Sequence, residues 1–131
     1  MKRFLLMAII ALSSLSIMAQ ETKDSTAETA AKTTAVSGNW SATYYGNTYK
    51  SARRNANGEP FNMNAMTCAA PKKFPFGTRL KVTNIANGKS VIVRVCDRCV
   101  GQSIIDLTYG AFGKIASYSA GRVKVKVEIV K

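Results

Sequence analysis

The chain has 131 residues, with 19 lysines and arginines against 7 aspartates and glutamates, and its formal charge at neutral pH is +12. It contains no histidine, which excludes a Ser-His-Asp or Cys-His nucleophile system. The positive charge favours a polyanionic partner, but no nucleic-acid-binding motif accompanies it, so we expect an anionic glycan, wall polymer or membrane surface.

The first 19 residues have the three parts of a signal peptide. Lys2 and Arg3 form the charged start, residues 4–12 are apolar, and Ile17-Met18-Ala19 offers a cleavage site. The apolar stretch is short for a transmembrane span, although an uncleaved anchor is the alternative. No cysteine lies near the cleavage site, so no lipid anchor is expected. We predict export to the periplasm or cell envelope of a bacterium, without stable membrane insertion after cleavage.

Residues 20–37 predict a flexible linker, because they are rich in threonine, alanine and serine and have almost no large apolar side chain. The predicted domain is residues 38–131. It carries 15 basic and 4 acidic residues, a formal charge of +11. A chain of this length supports one domain with a modest core, and we expect a monomer.

Short strands account for most of the predicted domain. Residues 40–45 read as a first strand, and residues 79–83 and 90–96 alternate polar and apolar side chains. Asn87-Gly88 between the last two predicts a two-residue hairpin turn. Residues 122–129 alternate most regularly of all. The pattern predicts a mainly β protein built as a small barrel.

Two kinds of signal interrupt the strands. Pro71 and Pro75 divide the segment before residue 79 into short extended pieces. Thr108 is a predicted N-cap for one short helix, residues 109–117.

Asp97 is one candidate catalytic acid. The valines of VIVRV, residues 91–95, take every second position of a strand and therefore share a face. If the alternation continues, Asp97 lies on that same face, either buried or on the rim of a cleft. The alternative is a structural ion pair between Asp97 and Arg94 or Arg98.

Asp106 is the other candidate acid. It is flanked by Ile104, Ile105 and Leu107, and desolvation by such neighbours raises the pKa of a carboxyl group. A protonated carboxylic acid is what the cleavage of a glycosidic bond needs. The alternative is that Asp106 only ties down the start of the helix.

Aromatic and basic side chains supply candidates for binding a glycan. Tyr44 and Tyr45 could stack on sugar rings, and Arg94 and Arg98 could bind the sugar's polar groups. The alternative for the aromatic residues is packing in the core, which we expect for Trp40 and Tyr45 and leave open for Tyr44.

Three cysteines in an exported chain allow one disulfide, with three possible pairings. We expect Cys68 to pair with Cys99, because that bond would pin the proline-rich segment beside the turn after Asp97. Strand alternation places Cys96 away from Cys99. A zinc site would need a fourth ligand in a chain without histidine, so we expect no metal and no cofactor.

Several stretches, in order along the domain, resemble the double-psi β-barrel proteins of the rare lipoprotein A and expansin type. The family pieces are Ala-Ser-Trp-Tyr-Gly, Thr-Ala-Asn-Gly-Glu with Asn-Ala-Leu-Thr, Leu-Pro-Leu-Gly-Thr with an Asn-Gly-Lys hairpin, and Asp-Leu-Ser or Asp-Leu-Thr before a helix. The matching stretches here are SATYYG (41–46), NANGEPFNMNAMT (55–67), FPFGTRLKVTNIANGKSVIVRV (74–95) and IIDLTYGAF (104–112).

This resemblance implies a six-stranded double-psi β-barrel with one or two short helices and a surface groove for glycan. It carries three acids over as functional residues: Glu59, Asp97 and Asp106. Two positions depart from the family pattern. The functional histidine would fall at Ala70 or Pro71, and the glycine of Asp-Arg-Gly is Cys99, as in the Asp-x-Cys of expansins.

Three functions are compatible with these residues, and the one with least support is an inhibitor or interaction domain built on the barrel scaffold. The first is an endolytic lytic transglycosylase acting on peptidoglycan strands without stem peptides, with Asp106 or Asp97 as the general acid and Glu59 in support. The second is a non-catalytic, expansin-like wall-binding module in which the same acids only hydrogen-bond sugar. The missing histidine favours the binding module, and the three acids favour the enzyme.

Overall fold

Six β-strands close into one barrel in the computed structural model, which describes residues 32–46 and 53–131. Around the barrel the strands follow the order β1-β5-β2-β4-β3-β6. The predicted six-stranded, mainly β barrel is confirmed. The elements are β1 (Thr33–Tyr45), β2 (Thr67–Ala70), β3 (Arg79–Asn84), β4 (Ser90–Arg98), β5 (Ile104–Thr108), helix α1 (Tyr109–Gly113), a 3₁₀ turn (Tyr118–Ala120) and β6 (Val123–Val130).

Two of the strand pairs are parallel, β1 with β5 and β2 with β4, and the others are antiparallel. Parallel neighbours need long connections. As a result, residues far apart in the sequence meet on the wall formed by β1, β5, β2 and β4.

Alternating apolar residues from every strand fill the barrel. Leu80 and Val82 of β3 are fully buried, while Val125 and Val127 of β6 are 2% and 1% exposed. Trp40 also lies in this core at 3% exposure, so its predicted packing role is confirmed. The predicted alternation of β3 and β6 is confirmed by these burial patterns.

The first strand begins earlier than the sequence suggested. β1 starts at Thr33, and its residues 33–36 pair with residues 127–130 of β6. The predicted linker is therefore wrong over its last five residues, because residues 33–37 belong to β1 and residues 33–36 pair with β6. The predicted signal peptide and the linker up to residue 31 lie outside the described residues.

Two local predictions also needed correction. The β3–β4 hairpin has its loop at residues 85–89, longer than the predicted two-residue turn, because Asn84 bonds to both Gly88 and Lys89 through the backbone. Helix α1 ends at Gly113 instead of residue 117, although Thr108 does cap it by accepting a hydrogen bond from the Ala111 amide.

The early end of α1 has a steric reason. The chain folds back so that the Tyr118 ring stacks on Tyr109 with centroids 3.9 Å apart. The Tyr118 hydroxyl then donates a hydrogen bond to the Tyr109 carbonyl at 3.0 Å. A Cβ atom at Gly113 would overlap that hydroxyl, so a larger residue here would displace the Tyr118 side chain from this stack.

We expect deletion of residues 1–37 to lower the unfolding free energy by about 1–3 kcal/mol, whereas deletion of residues 1–31 leaves it unchanged. The longer deletion removes the four pairs that residues 33–36 make with β6, and it removes the Ser37 carbonyl, which accepts a hydrogen bond from the Trp40 indole at 3.0 Å. Urea unfolding followed by Trp40 fluorescence measures both variants. Equal stabilities for the two deletions would contradict a structural role for residues 33–37.

Candidate active site

An irregularity in the ladder between β2 and β4 determines where Asp97 points. Cys68 lies opposite Val95, but the next residue, Ala69, lies opposite Asp97, so Cys96 is an extra residue in β4. Such a β-bulge breaks the alternation of side chains. Asp97 therefore points away from the core that holds Val95. The prediction that it shares the face of the valines is wrong for this reason.

Four side chains line up across the outer wall of the barrel. Ala69 of β2 lies opposite Asp97 of β4 on one side and opposite Asp106 of β5 on the other, and Asp106 lies opposite Thr43 of β1. We call Asp97, Ala69, Asp106 and Thr43 the acid row. Two strand spacings separate the acids, roughly 10 Å between backbones. Only the methyl group of Ala69 lies between them.

Asp97 is held by four hydrogen-bond donors. Its Oδ1 accepts from the backbone amides of Ala56 at 2.9 Å and Arg98 at 3.0 Å. Its Oδ2 accepts from the Arg53 guanidinium at 3.0 Å and the Tyr45 hydroxyl at 3.4 Å. The predicted ion pair exists, but the partner is Arg53 from the loop, not Arg94 or Arg98. Asp97 thereby anchors the loop that follows β1 to the outer wall.

The two arginines proposed for glycan binding have structural partners. Arg94 pairs with Glu59 at 3.0 Å. The Arg98 Nη1 donates to three backbone carbonyls, those of Ala70 at 3.3 Å, Pro71 at 3.2 Å and Phe74 at 2.8 Å.

The surroundings of Asp106 favour the protonated form of its carboxyl group. Asp106 is half-buried, and its Oδ1 accepts one side-chain hydrogen bond, from Thr43 at 2.9 Å. Burial raises the pKa of the Asp106 carboxyl, the Thr43 hydrogen bond opposes that rise, and the charge of Asp97 adds to it. The alternative role at the helix start does not apply, because Thr108 is the cap.

Glu59 lies outside the acid row. Its side chain is 44% exposed, and hydrogen bonds from Asn57 and then Arg94 lower the pKa of its carboxyl. A solvent-exposed, paired carboxylate is ill suited to donate a proton. A surface ion pair with Arg94 fits this geometry better than a catalytic role for Glu59.

The two neighbouring tyrosines face opposite ways. Tyr45 was expected in the core, but it lies on the outer face, where its hydroxyl donates to Asp97 and its ring packs on Phe61 with centroids 5.5 Å apart. Burial and the charge of Asp97 raise the pKa of the Tyr45 hydroxyl, which keeps it a donor. Tyr44 instead packs against Phe112 and Tyr118, away from the acid row.

All three cysteines are free thiols in the structure. The predicted disulfide between Cys68 and Cys99 is not formed. Cys68 belongs to the core cluster, while the Cys99 thiol donates a hydrogen bond to the Ile104 carbonyl at 3.3 Å. Burial raises the pKa of each thiol, which disfavours the reactive thiolate.

Within residues 32–46 and 53–131, no group of three or more histidine, cysteine or acidic side chains could hold a metal ion. The same part of the chain has no helix long and apolar enough to cross a membrane.

Sequence reasoning missed three residues of this site. Nothing local in the sequence marks Arg53 as the partner of Asp97, which lies 44 positions away. Thr43 is an ordinary strand residue by sequence. Ala69 is identified only through the strand register.

The closed six-stranded barrel and its strand order identify this chain as a double-psi β-barrel. The family model described as lytic transglycolase matches residues 37–127, and the chain belongs to that family. The predicted resemblance is therefore confirmed.

Two curated relatives and one solved structure illustrate the similarity. The probable endolytic peptidoglycan transglycosylase RlpA of Synechocystis is 49% identical over 92 residues, which cover 69% of this chain and 28% of that protein. The endolytic peptidoglycan transglycosylase RlpA of Campylobacter jejuni is 42% identical over 91 residues, covering 68% and 32%. A Clavibacter michiganensis expansin structure has a TM-score of 0.57 and 27% identity, covering 76% of this chain and 51% of that one. The chain thus spans about a third of the length of these RlpA relatives.

Proposed function

We propose that this protein is an endolytic peptidoglycan lytic transglycosylase that cleaves glycan strands lacking stem peptides, with Asp106 as the general acid. The observation that carries the proposal is the placement of two acids in the acid row. The Asp106 carboxyl is half-buried and has a raised pKa, and only Ala69 on the intervening strand separates it from the buried Asp97 carboxylate. Two carboxyl groups in unlike environments are the arrangement expected of a proton donor beside a charge stabiliser.

The chemistry uses one acid that becomes a base. Asp106 gives its proton to the glycosidic oxygen as the bond from that oxygen to C1 of the muramic sugar breaks. The nearby Asp97 carboxylate favours the positive charge that develops at C1. The 6-hydroxyl of the same sugar then attacks C1 and returns its proton to Asp106. The products are a 1,6-anhydro sugar and a free sugar end, and no water is consumed.

The charge of the domain supports the same substrate. Strands without stem peptides carry free lactyl carboxylates, which a domain of formal charge +11 attracts. We further propose that the protein is exported to the cell envelope and acts there as a monomer, with no role in nucleic-acid binding.

The second candidate is an expansin-like wall-binding module. The similarity to the Clavibacter expansin and the absence of histidine favour it. In that case Asp106 and Asp97 would only hydrogen-bond sugar hydroxyls.

Incubation of the protein with peptidoglycan glycan strands stripped of their stem peptides tests the proposal. We expect mass spectrometry of the soluble products to find 1,6-anhydromuramic ends, because ring closure by the 6-hydroxyl leaves that mark. Strands that keep their stem peptides serve as the comparison and should yield fewer such ends. Binding to the stripped strands without any anhydro product would favour the expansin-like function instead.

A further inference from the structure

A cavity of about 430 Å³ opens where β2 and β4 end. Its lining includes Lys72, Lys73, Arg98, Cys99 and Gln102, and we call it the basic cavity. Its volume is within the usual range of small-ligand sites. None of the residues that line it is acidic.

The basic cavity adjoins the acid row on three strands. Arg98 follows Asp97 directly in β4, and the cavity residue Pro71 comes two positions after Ala69 at the end of β2. The Cys99 thiol bonds to the carbonyl two residues before Asp106, at the start of β5. The basic cavity and the acid row are therefore separated by only one residue step along β4 and two along β2.

One positive charge in the basic cavity is fixed in place. The Arg98 Nη1 is held by the carbonyls already described, and its guanidinium carbon lies 4.1 Å from the centroid of the Phe76 ring. A guanidinium group has five N–H donors in a planar fork, which suits the two oxygens of a carboxylate. Because the side chain is ordered before a ligand arrives, less rotamer entropy is lost on binding.

Two lysines add charge at the mouth of the basic cavity. The Lys73 amine lies 5.3 Å from the Trp40 ring centroid and 5.8 Å from that of Phe74, so aromatic rings hold it near the cavity. Lys72 is exposed and supplies a second ammonium group. Three cations around one concave site attract a compact anion more strongly than a flat basic surface does.

We propose that the basic cavity binds a carboxylate group carried by the sugar next to the cleaved bond, and that Lys72 and Lys73 select strands in which this carboxylate is free. The proposal rests on the function proposed above and names what that site recognises. A stem peptide converts the lactyl carboxylate into a neutral amide, which removes the charge and adds bulk. A uronic acid would offer the same sugar-borne carboxylate.

Binding should be measured on the Asp106→Asn background, so that no substrate is cut. Fluorescently labelled strands without stem peptides are titrated in two forms, native and with the lactyl carboxylates amidated by methylamine. We expect the double variant Lys72→Gln and Lys73→Gln to bind native strands about tenfold more weakly. A loss of that size corresponds to one charge-assisted hydrogen bond. Binding of amidated strands should be the same with and without the two substitutions.

The matched control is Lys124→Gln with Lys126→Gln, which removes the same charge from exposed positions of β6. We expect this variant to keep the preference for native over amidated strands. Equal losses from the two double variants would overturn the proposal, since general attraction would then explain binding. Gln102→Glu is a single change at an exposed position of the basic cavity, and it should weaken native binding without disturbing Lys73.

Two further experiments distinguish the possible sources of the carboxylate and separate the carboxylate site from the enzymatic function. Oligogalacturonate serves as a uronic acid probe, and cavity-dependent binding of it as tight as that of native strands would identify the carboxylate itself as the recognised group. If wild-type protein releases no anhydro product while the basic cavity still discriminates native from amidated strands, the enzymatic function fails and the carboxylate site stands.

Discussion

Asp106→Asn should reduce the release of 1,6-anhydro products from stripped glycan strands by roughly 100-fold or more, while binding of the same strands survives. The asparagine keeps the size of the side chain and can still accept the Thr43 hydrogen bond, but it has no proton to give. Product release is measured by mass spectrometry of the soluble fraction, and binding by co-sedimentation with insoluble strands.

Glu128→Gln is the control for this loss of product. Glu128 is an acid of β6 that bonds to Thr33 at 2.7 Å and lies outside the acid row. We expect its activity to match that of wild type. If Asp106→Asn releases as much product as wild type, Asp106 is not the general acid. If it loses both binding and product, Asp106 only binds sugar.

Asp97→Asn should lower the unfolding free energy by about 3 kcal/mol at pH 7. Each oxygen of Asp97 accepts hydrogen bonds from two donors, so either orientation of an asparagine amide points its NH₂ group at donors. The Arg53 guanidinium also loses its ionic partner. Urea unfolding followed by Trp40 fluorescence measures the change, and an unaltered midpoint would contradict this account of Asp97.

The same substitution at Asp106 is the matched control, and its expected sign is opposite. The folded-state pKa of Asp106 is raised, so ionising it costs more in the native protein than in the unfolded chain. That cost is fully present above the raised pKa and disappears below the unfolded value near 3.8. Asp106→Asn should therefore be at least as stable as wild type at pH 7. Any gain in unfolding free energy should disappear as the pH falls from above the raised pKa of Asp106 to below 3.8.

The alternating strands were predictable because one buried face imposes a period of two. Leu80 and Val82 in β3, and Val125 and Val127 in β6, follow that rule without interruption. The Thr108 cap was predictable for a similar reason, since a threonine before a helix bonds locally. Each of these features depends on neighbours within a few residues.

The geometry of the acid row was not predictable from the local pattern. The extra residue Cys96 places the Asp97 side chain on the opposite face of β4. No residue type in this stretch predicts a β-bulge. Asp97 forms its ion pair with Arg53 instead of Arg94 or Arg98. That pairing depends on where the loop that carries Arg53, 44 positions away in sequence, lies on the outer wall. For Asp106, whose environment is set largely by its own apolar neighbours, the predicted direction of the pKa shift was right.

The parallel pairing of β1 with β5 also has a kinetic consequence. Thr43 and Asp106 are 63 positions apart, so the acid row forms only after the chain closes a long loop. Closing such loops makes folding slow relative to structures built from hairpins, because entropy is lost before the distant contacts form. The β3–β4 hairpin closes only a short loop, so it can form before the acid row does.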